Sequence, residues 1–125
     1  MARRDITGAV DFGHLEAYAA GDEALVEEVL GLFRQQVEIW MRLIDPRGEA
    51  GAWRDGAHTL KGASLGVGAF DLARACAAAE MGEAASTGEK TVMLEHICDA
   101  LDAALADIAA YDHERMIRSL KSPRA

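Results

Sequence analysis

Aromatic residues are scarce in this chain. Two Trp, two Tyr and three Phe make up 6% of 125 residues, although half of the residues are apolar. A core built mainly on aromatic and β-branched strand residues does not fit that composition; an alanine-rich apolar half favours closely packed helices instead. Proline occurs only at Pro46 and Pro123, so little interrupts a helical pattern between them. The two cysteines, Cys76 and Cys98, are too few and too separated for a disulfide framework or a CxxC metal site. Each falls among apolar neighbours at helical spacing and reads as a small buried hydrophobe. Positive charge is also lacking: the net charge of −8 argues against general nucleic-acid binding. No stretch approaches a membrane span, and MARRDITGAVDF contains no apolar run of signal-peptide length. A reducing cytoplasm is therefore the expected compartment, with no membrane partner. No P-loop or kinase glycine loop is present, which counts against an ATP-dependent kinase. Nor is there the repeated Glu-x-x-His of a di-iron bundle, and no metal site is expected.

What is present is helical periodicity over one domain's length. Residues 1–10 read as a flexible lead-in, residues 11–120 as a single domain and residues 121–125 as a frayed tail. Asp11 suits the N-cap of a short helix to about Ala20, which Gly21 would end. From Asp22 to about Ile44, apolar residues from Leu25 and Val26 through Leu43 and Ile44 recur at i, i+3/i+4. Asp45-Pro46-Arg47-Gly48 breaks that run. A third helix is expected over about Glu49 to Val67, closed by Gly66 and Gly68, and a fourth over Phe70 to Glu83. Ala84 to Gly88 reads as a loop, and a fifth helix as starting near Glu89 and extending toward Leu120. The expectation is an all-α protein: an antiparallel four-helix bundle with a short N-terminal capping helix.

The stretch AHTLKGASLGVGAF, from Ala57 to Phe70, sets the functional question. At about 100° per residue, Trp53, Ala57, Leu60, Ser64 and Val67 form the core stripe of the third helix. His58 then lies roughly opposite that stripe, on an outer face shared with Gly51, Arg54, Asp55, Lys61, Gly62 and Leu65. Arg54 and Lys61, one turn to either side, could neutralise an anion held near the imidazole. Arg54 reads equally well as surface charge, and Asp55 as a solvated carboxylate. Gly62 removes the side chain that would crowd the ring. A neutral imidazole is already a nucleophile near neutral pH, so this arrangement suits a phosphoryl acceptor without a separate general base. His14, His96 and His113 have no comparable surroundings. The basic residues Arg115, Arg118, Lys121 and Arg124 could touch an acidic partner or simply complement a helix C-terminus.

With H58-T-L60-K61-G62-A-S64-L-G-V-G68-A69 followed by L72-A-R-A-C76-A-A-A-E80, the chain resembles the histidine-containing phosphotransfer (HPt) family. The family pattern is HxLKGxxxxxGA and then a leucine-rich stretch ending in Glu or Gln. The resemblance implies that His58 is the phosphorylated nucleophile, Lys61 a stabiliser of the phosphoryl group and Gly62 the clearance glycine. Gly68 matches the glycine of the turn or close contact, and Glu80 the Gln/Glu position near the histidine. It also implies a phosphorelay role: His58 accepts a phosphoryl group from the aspartyl phosphate of one receiver domain and passes it to another. The expected partners are receiver domains of response regulators or hybrid histidine kinases, which would bring the Mg²⁺; the chain itself would bind no cofactor and act as a monomer. Docking is expected on the second and third helices around His58, with Leu65, Gly51 and Asp55. A non-catalytic adaptor of the same fold is the alternative. The intact His58–Lys61–Gly62 set counts against it.

Overall fold

The structure is a computed structural model that describes residues 6–121. Every regular element among them is a helix: α1 (Phe12–Ala19), α2 (Glu23–Leu43), α3 (Ala50–Val67), α4 (Phe70–Met81) and α5 (Thr87–Lys121). Helices α2 to α5 form the bundle; α3 packs against both α2 and α4, α4 also packs on α5, and α1 covers α2 and α3. No helix among the described residues is long and apolar enough to cross a membrane.

The ends of these helices follow from side chains and special backbone angles. Asp11 and Asp22 cap α1 and α2 by accepting from the amides of His14 and Leu25, each at 3.1 Å. Gly21 was expected to end α1, but Ala20 itself takes the left-handed conformation (φ 53°) just before it. At the end of α3, Gly68 adopts φ 87°, and the amides of Gly68 and Ala69 return to the carbonyls of Leu65 and Ser64. Gly66 does not help to close α3, as the sequence suggested; it stays inside the helix, exposed. Helix α4 stops at Met81, short of Glu83, where the Gly82 amide caps the carbonyls of Ala78 and Ala79. Helix α5 begins before Glu89, because Ser86 and Glu89 form a reciprocal capping box that brings Thr87 and Gly88 into its first turn.

The core runs through the middle of the bundle and includes Phe12, Leu30, Phe33, Trp53, Leu60, Leu72, Ile97 and Ile108. Small residues thin the α3–α4 contact: Ala57, Ala69, Cys76 and Ala79 are fully buried. Trp53 lies at this seam and donates its indole N–H to the Ala79 carbonyl at 2.7 Å, while the Lys90 ammonium lies over its ring. Buried Gly56 brings α2 equally close, since a Cβ there would lie 2.9 Å from Leu43 Cβ and 3.2 Å from the Trp40 carbonyl oxygen. Leu43, within the apolar pattern of α2, is itself partly exposed, and Ile44 beyond the helix end fills the core position. Val92 likewise lies on the outer side of α5.

Residues 6–10 depart from the expected flexible lead-in. The fully buried Asp107 carboxylate of α5 accepts from the amides of Thr7, Gly8 and Val10 and from the Thr7 hydroxyl, at 2.8–3.1 Å. Charge-assisted bonds of this kind are strong, and Val10 is buried with them. The segment then reaches α3, where the Asp11 amide donates to the Gly68 carbonyl. Residues 1–5 of the expected lead-in and 122–125 of the expected tail lie outside the described residues; Lys121 is the last helical residue.

Candidate functional site

His58 projects from the outer face of α3 with 65% of its side chain exposed, as the helical wheel requires. Its partner comes from α4. His58 Nδ1 lies 2.8 Å from Glu80 Oε2, and the other carboxylate oxygen, Oε1, lies 2.9 Å from Lys61 Nζ. Helix α4 is held at this register by the neighbouring Trp53–Ala79 bond, one residue before Glu80, and by the short Gly68–Ala69 connection. Lys61 and His58 are three residues apart on α3, so both reach the same carboxylate from one helix face.

The electrostatics of this trio are coherent. The Lys61 ammonium and then the His58 ring hold the Glu80 carboxyl below the usual carboxylate range. An ionised carboxylate has only acceptors, so the Nδ1 atom facing it carries the proton. In the neutral ring the lone pair then lies on Nε2. Beneath the trio, the buried Cys76 thiol is pushed up to about 12 by desolvation and stays protonated.

Other expected site residues fall into two groups. Gly62 and Gly51 face open space, with no atom within 4 Å of a Cβ added at either. Gly66 is open in the same way and extends the bare strip beyond Gly62. Leu65 is 46% exposed and borders a hollow of about 260 Å³ with Lys61, Phe70, Ala73, Arg74 and Ala77. Arg54 does not turn toward His58; it pairs with Asp55 at 3.2 Å and approaches Glu83 at 3.9 Å. Gly68 does not reach the imidazole either. A Cβ there would lie 2.7 Å from the Asp11 carbonyl oxygen, so this glycine admits the N-terminal segment to the α3–α4 corner.

Sequence reasoning missed the Lys61–Glu80 ion pair and the α4 side of the Leu65 hollow. It also passed over Leu32 and Ile39, which with Leu43 are exposed apolar residues on α2. The basic end of α5 is partly spoken for: Arg115 reaches Glu23 and Glu27 of α2 and Asp112 of its own helix. Arg124 lies outside the described residues. Among the described residues no group of three or more His, Cys, Asp or Glu side chains is placed to hold a metal ion. His58 thus stands exposed on the outer face of α3, the face it shares with the partly exposed Leu65.

No curated protein matches the chain. The crystal structure of the histidine phosphotransferase ShpA from Caulobacter crescentus is similar at 52% sequence identity and a TM-score of 0.75. The match covers 91% of this chain and 100% of that one. The family model for the Hpt domain matches residues 22–111, which span His58, Lys61 and Glu80. The chain belongs to the Hpt domain family and is a histidine-phosphotransfer protein of phosphorelay signalling.

Proposed function

We propose that His58 is the residue through which this phosphotransfer protein accepts a phosphoryl group from the aspartyl phosphate of a receiver domain and returns it to another. The observation that carries the reading is the Glu80 contact at Nδ1 of an exposed ring, which leaves Nε2 to carry the lone pair. In the forward step that lone pair forms the P–N bond as the P–O bond to the aspartate breaks. The carboxylate departs with the bonding electrons. In the onward step a second receiver's aspartate oxygen attacks phosphorus, and the P–N electrons return to Nε2. Nδ1 keeps its proton throughout, so no general base is required. Mg²⁺ comes with the receiver and neutralises charge on the phosphoryl oxygens.

The docking surface we assign surrounds His58. Gly62 and Gly51 let the receiver's backbone come close, Leu65 supplies apolar contact, and α2 adds Ile39 and Leu43. Asp55 lies at the rim. Lys61 serves the phosphoryl group once loaded, and Glu80 orients the ring. Arg54 contributes charge around the site through its acidic partners rather than by direct contact. The chain works as a monomer in the cytoplasm and takes no nucleic acid. A pure adaptor would have no use for a histidine whose ring is held with Nε2 outward.

Incubation with a phosphorylated receiver should give an acid-labile, alkali-stable label on the protein. His58→Gln should lose the label while its helical circular dichroism remains native. A fully labelled His58→Gln protein would refute the assignment.

A further inference from the structure

Trp53 lies behind the site, and its one polar atom is engaged by the helix that carries Glu80. The indole N–H donates to the Ala79 carbonyl at 2.7 Å, and Ala79 and Glu80 are consecutive residues in the last turn of α4. Resting on the reading of His58 as phosphoryl carrier with Glu80 orienting its ring, we infer that Trp53 is a positioning residue for phosphotransfer. Its hydrogen bond to Ala79 fixes the far end of α4 against α3, and so sets where the Glu80 carboxylate meets His58.

Little else holds that end of α4. Carbonyls in the last turn of a helix lack helical partners, and a side chain from another helix that takes one ties the two helices together. The near end is fixed through the backbone, where the Ala69 amide donates to the Ser64 carbonyl at 2.8 Å. Glu80 lies at the other end, one residue before α4 stops at Met81. Between the two ends the α3–α4 seam is thinned by small side chains, Ala57, Cys76 and Ala79 among them. Small side chains make shallow ridges, which oppose sliding and rotation weakly. Arg54 approaches Glu83 only at 3.9 Å on the exposed rim, too far for a hydrogen bond. Trp53 by contrast is fully buried, with the Lys90 ammonium 5.2 Å from its ring centroid, so its N–H has a fixed direction.

Register matters because Glu80 makes two contacts at once, 2.8 Å to His58 Nδ1 and 2.9 Å to Lys61 Nζ. A shift or rotation of α4 that moves the carboxylate by about 1 Å opens or misaims both. The ring is then free to turn, and a misplacement of that size at a reacting group can cost up to about a hundredfold in rate. Trp53 faces the core while His58 faces out from the same helix, so Trp53 acts on the reaction through Glu80.

The test compares the full chain with Trp53→Phe, which keeps an aromatic ring for packing and for Lys90 but lacks the donor. A second variant carries benzothienylalanine at position 53, which has the shape of tryptophan with sulfur in place of the N–H. It serves if the smaller Phe prevents folding. Receiver affinity is measured by titration, and transfer from a phosphorylated receiver is timed at saturation. Either variant should bind the receiver with wild-type affinity and transfer at least about fivefold more slowly. In a Glu80→Ala background, which already lacks the carboxylate, the same change should slow transfer by less than about twofold. A merely structural role predicts equal slowing in both backgrounds, and that result would overturn the inference. So would a wild-type rate in either folded variant, a loss confined to receiver affinity, or a wild-type rate in Glu80→Ala, which would leave nothing to position. Label on His58→Gln would instead remove the reading of His58 on which the inference rests.

Discussion

Replacing Gly62 by Gln should make the protein slightly more stable and a much poorer phosphotransfer partner. Gly62 lies in the interior of α3, exposed, and a Cβ added there meets no atom within 4 Å. Removing a helical glycine without a clash should stabilise by about 0.5–1 kcal/mol. For a domain of this size that raises the melting temperature by about 2–4 °C. The same side chain has an opposite effect outside. Helical side chains lean toward the N-terminus, so Gln at 62 would cover the turn carrying His58, four residues before it. A loss of at least about tenfold in transfer rate, equal to about 1.4 kcal/mol of productive docking, is expected. Thermal or urea unfolding gives the first quantity, and short-time transfer from a phosphorylated receiver the second. Gly56→Ala on the same helix is the contrast, because its new methyl would press on Leu43, Ile44 and the Trp40 carbonyl. Overpacking of about 1–3 kcal/mol there should outweigh the gain in helix propensity and destabilise the fold. Undiminished transfer by Gly62→Gln, or a loss of stability as large as that of Gly56→Ala, would refute the clearance argument.

Two further perturbations follow from the buried and the charged contacts. Asp107→Asn turns a carboxylate that accepts four bonds from residues 7–10 into an amide with one oxygen. The expected cost is roughly 2–4 kcal/mol in urea unfolding, with faster amide exchange at residues 7–11; a change below about 0.5 kcal/mol would show that the clasp does not hold the segment. Glu80 should also leave a signature in acid. Its carboxyl is held low in the folded protein by Lys61 and His58. As pH falls below about 4.3, the unfolded chain therefore takes up this proton before the folded one does, and stability declines. Above that range Glu80's contribution is fully present. Glu80→Gln should show a shallower decline over the same window, and parallel curves for the two proteins would count against the paired carboxylate.

The sequence made His58 legible because one helix is a one-dimensional object. A period of 3.6 residues relates Trp53, Ala57, Leu60 and Ser64 to a buried stripe, and the outward position of His58 follows without any knowledge of neighbouring helices. The Ser86–Glu89 capping box was equally local, and its S-x-x-E spacing could have placed the start of α5. Contacts between helices are another matter. Resemblance placed Glu80 near the histidine, but the shared Lys61–Glu80–His58 contact depends on the register of α4 against α3. That register comes from Trp53 reaching Ala79 and from the Gly68 corner, through bonds that no periodicity encodes. Arg54 stayed open between surface charge and a role beside His58 for the same reason, since Glu83 reaches it from beyond the end of α4. The Asp107 clasp joins residues about a hundred positions apart, and its only trace in the sequence is an acid among the apolar positions of α5.

The glycines show where such reading can be extended. Gly56 and Gly62 look alike in the sequence, yet one is buried against α2 and the other open to solvent. Their six-residue separation turns the helix by about 600°, which leaves them some 120° apart on the wheel. Gly56 therefore falls between the core stripe and the α2 side, where a missing side chain permits close helix packing. Gly62 falls opposite the core, where it can serve only something outside the molecule. A glycine in a helix costs stability wherever it lies; when the space it leaves is filled by the protein itself, packing can offset that cost. At Gly62 no atom of the described residues lies within 4 Å of an added Cβ, and the receiver proposed to approach His58 would supply the compensation.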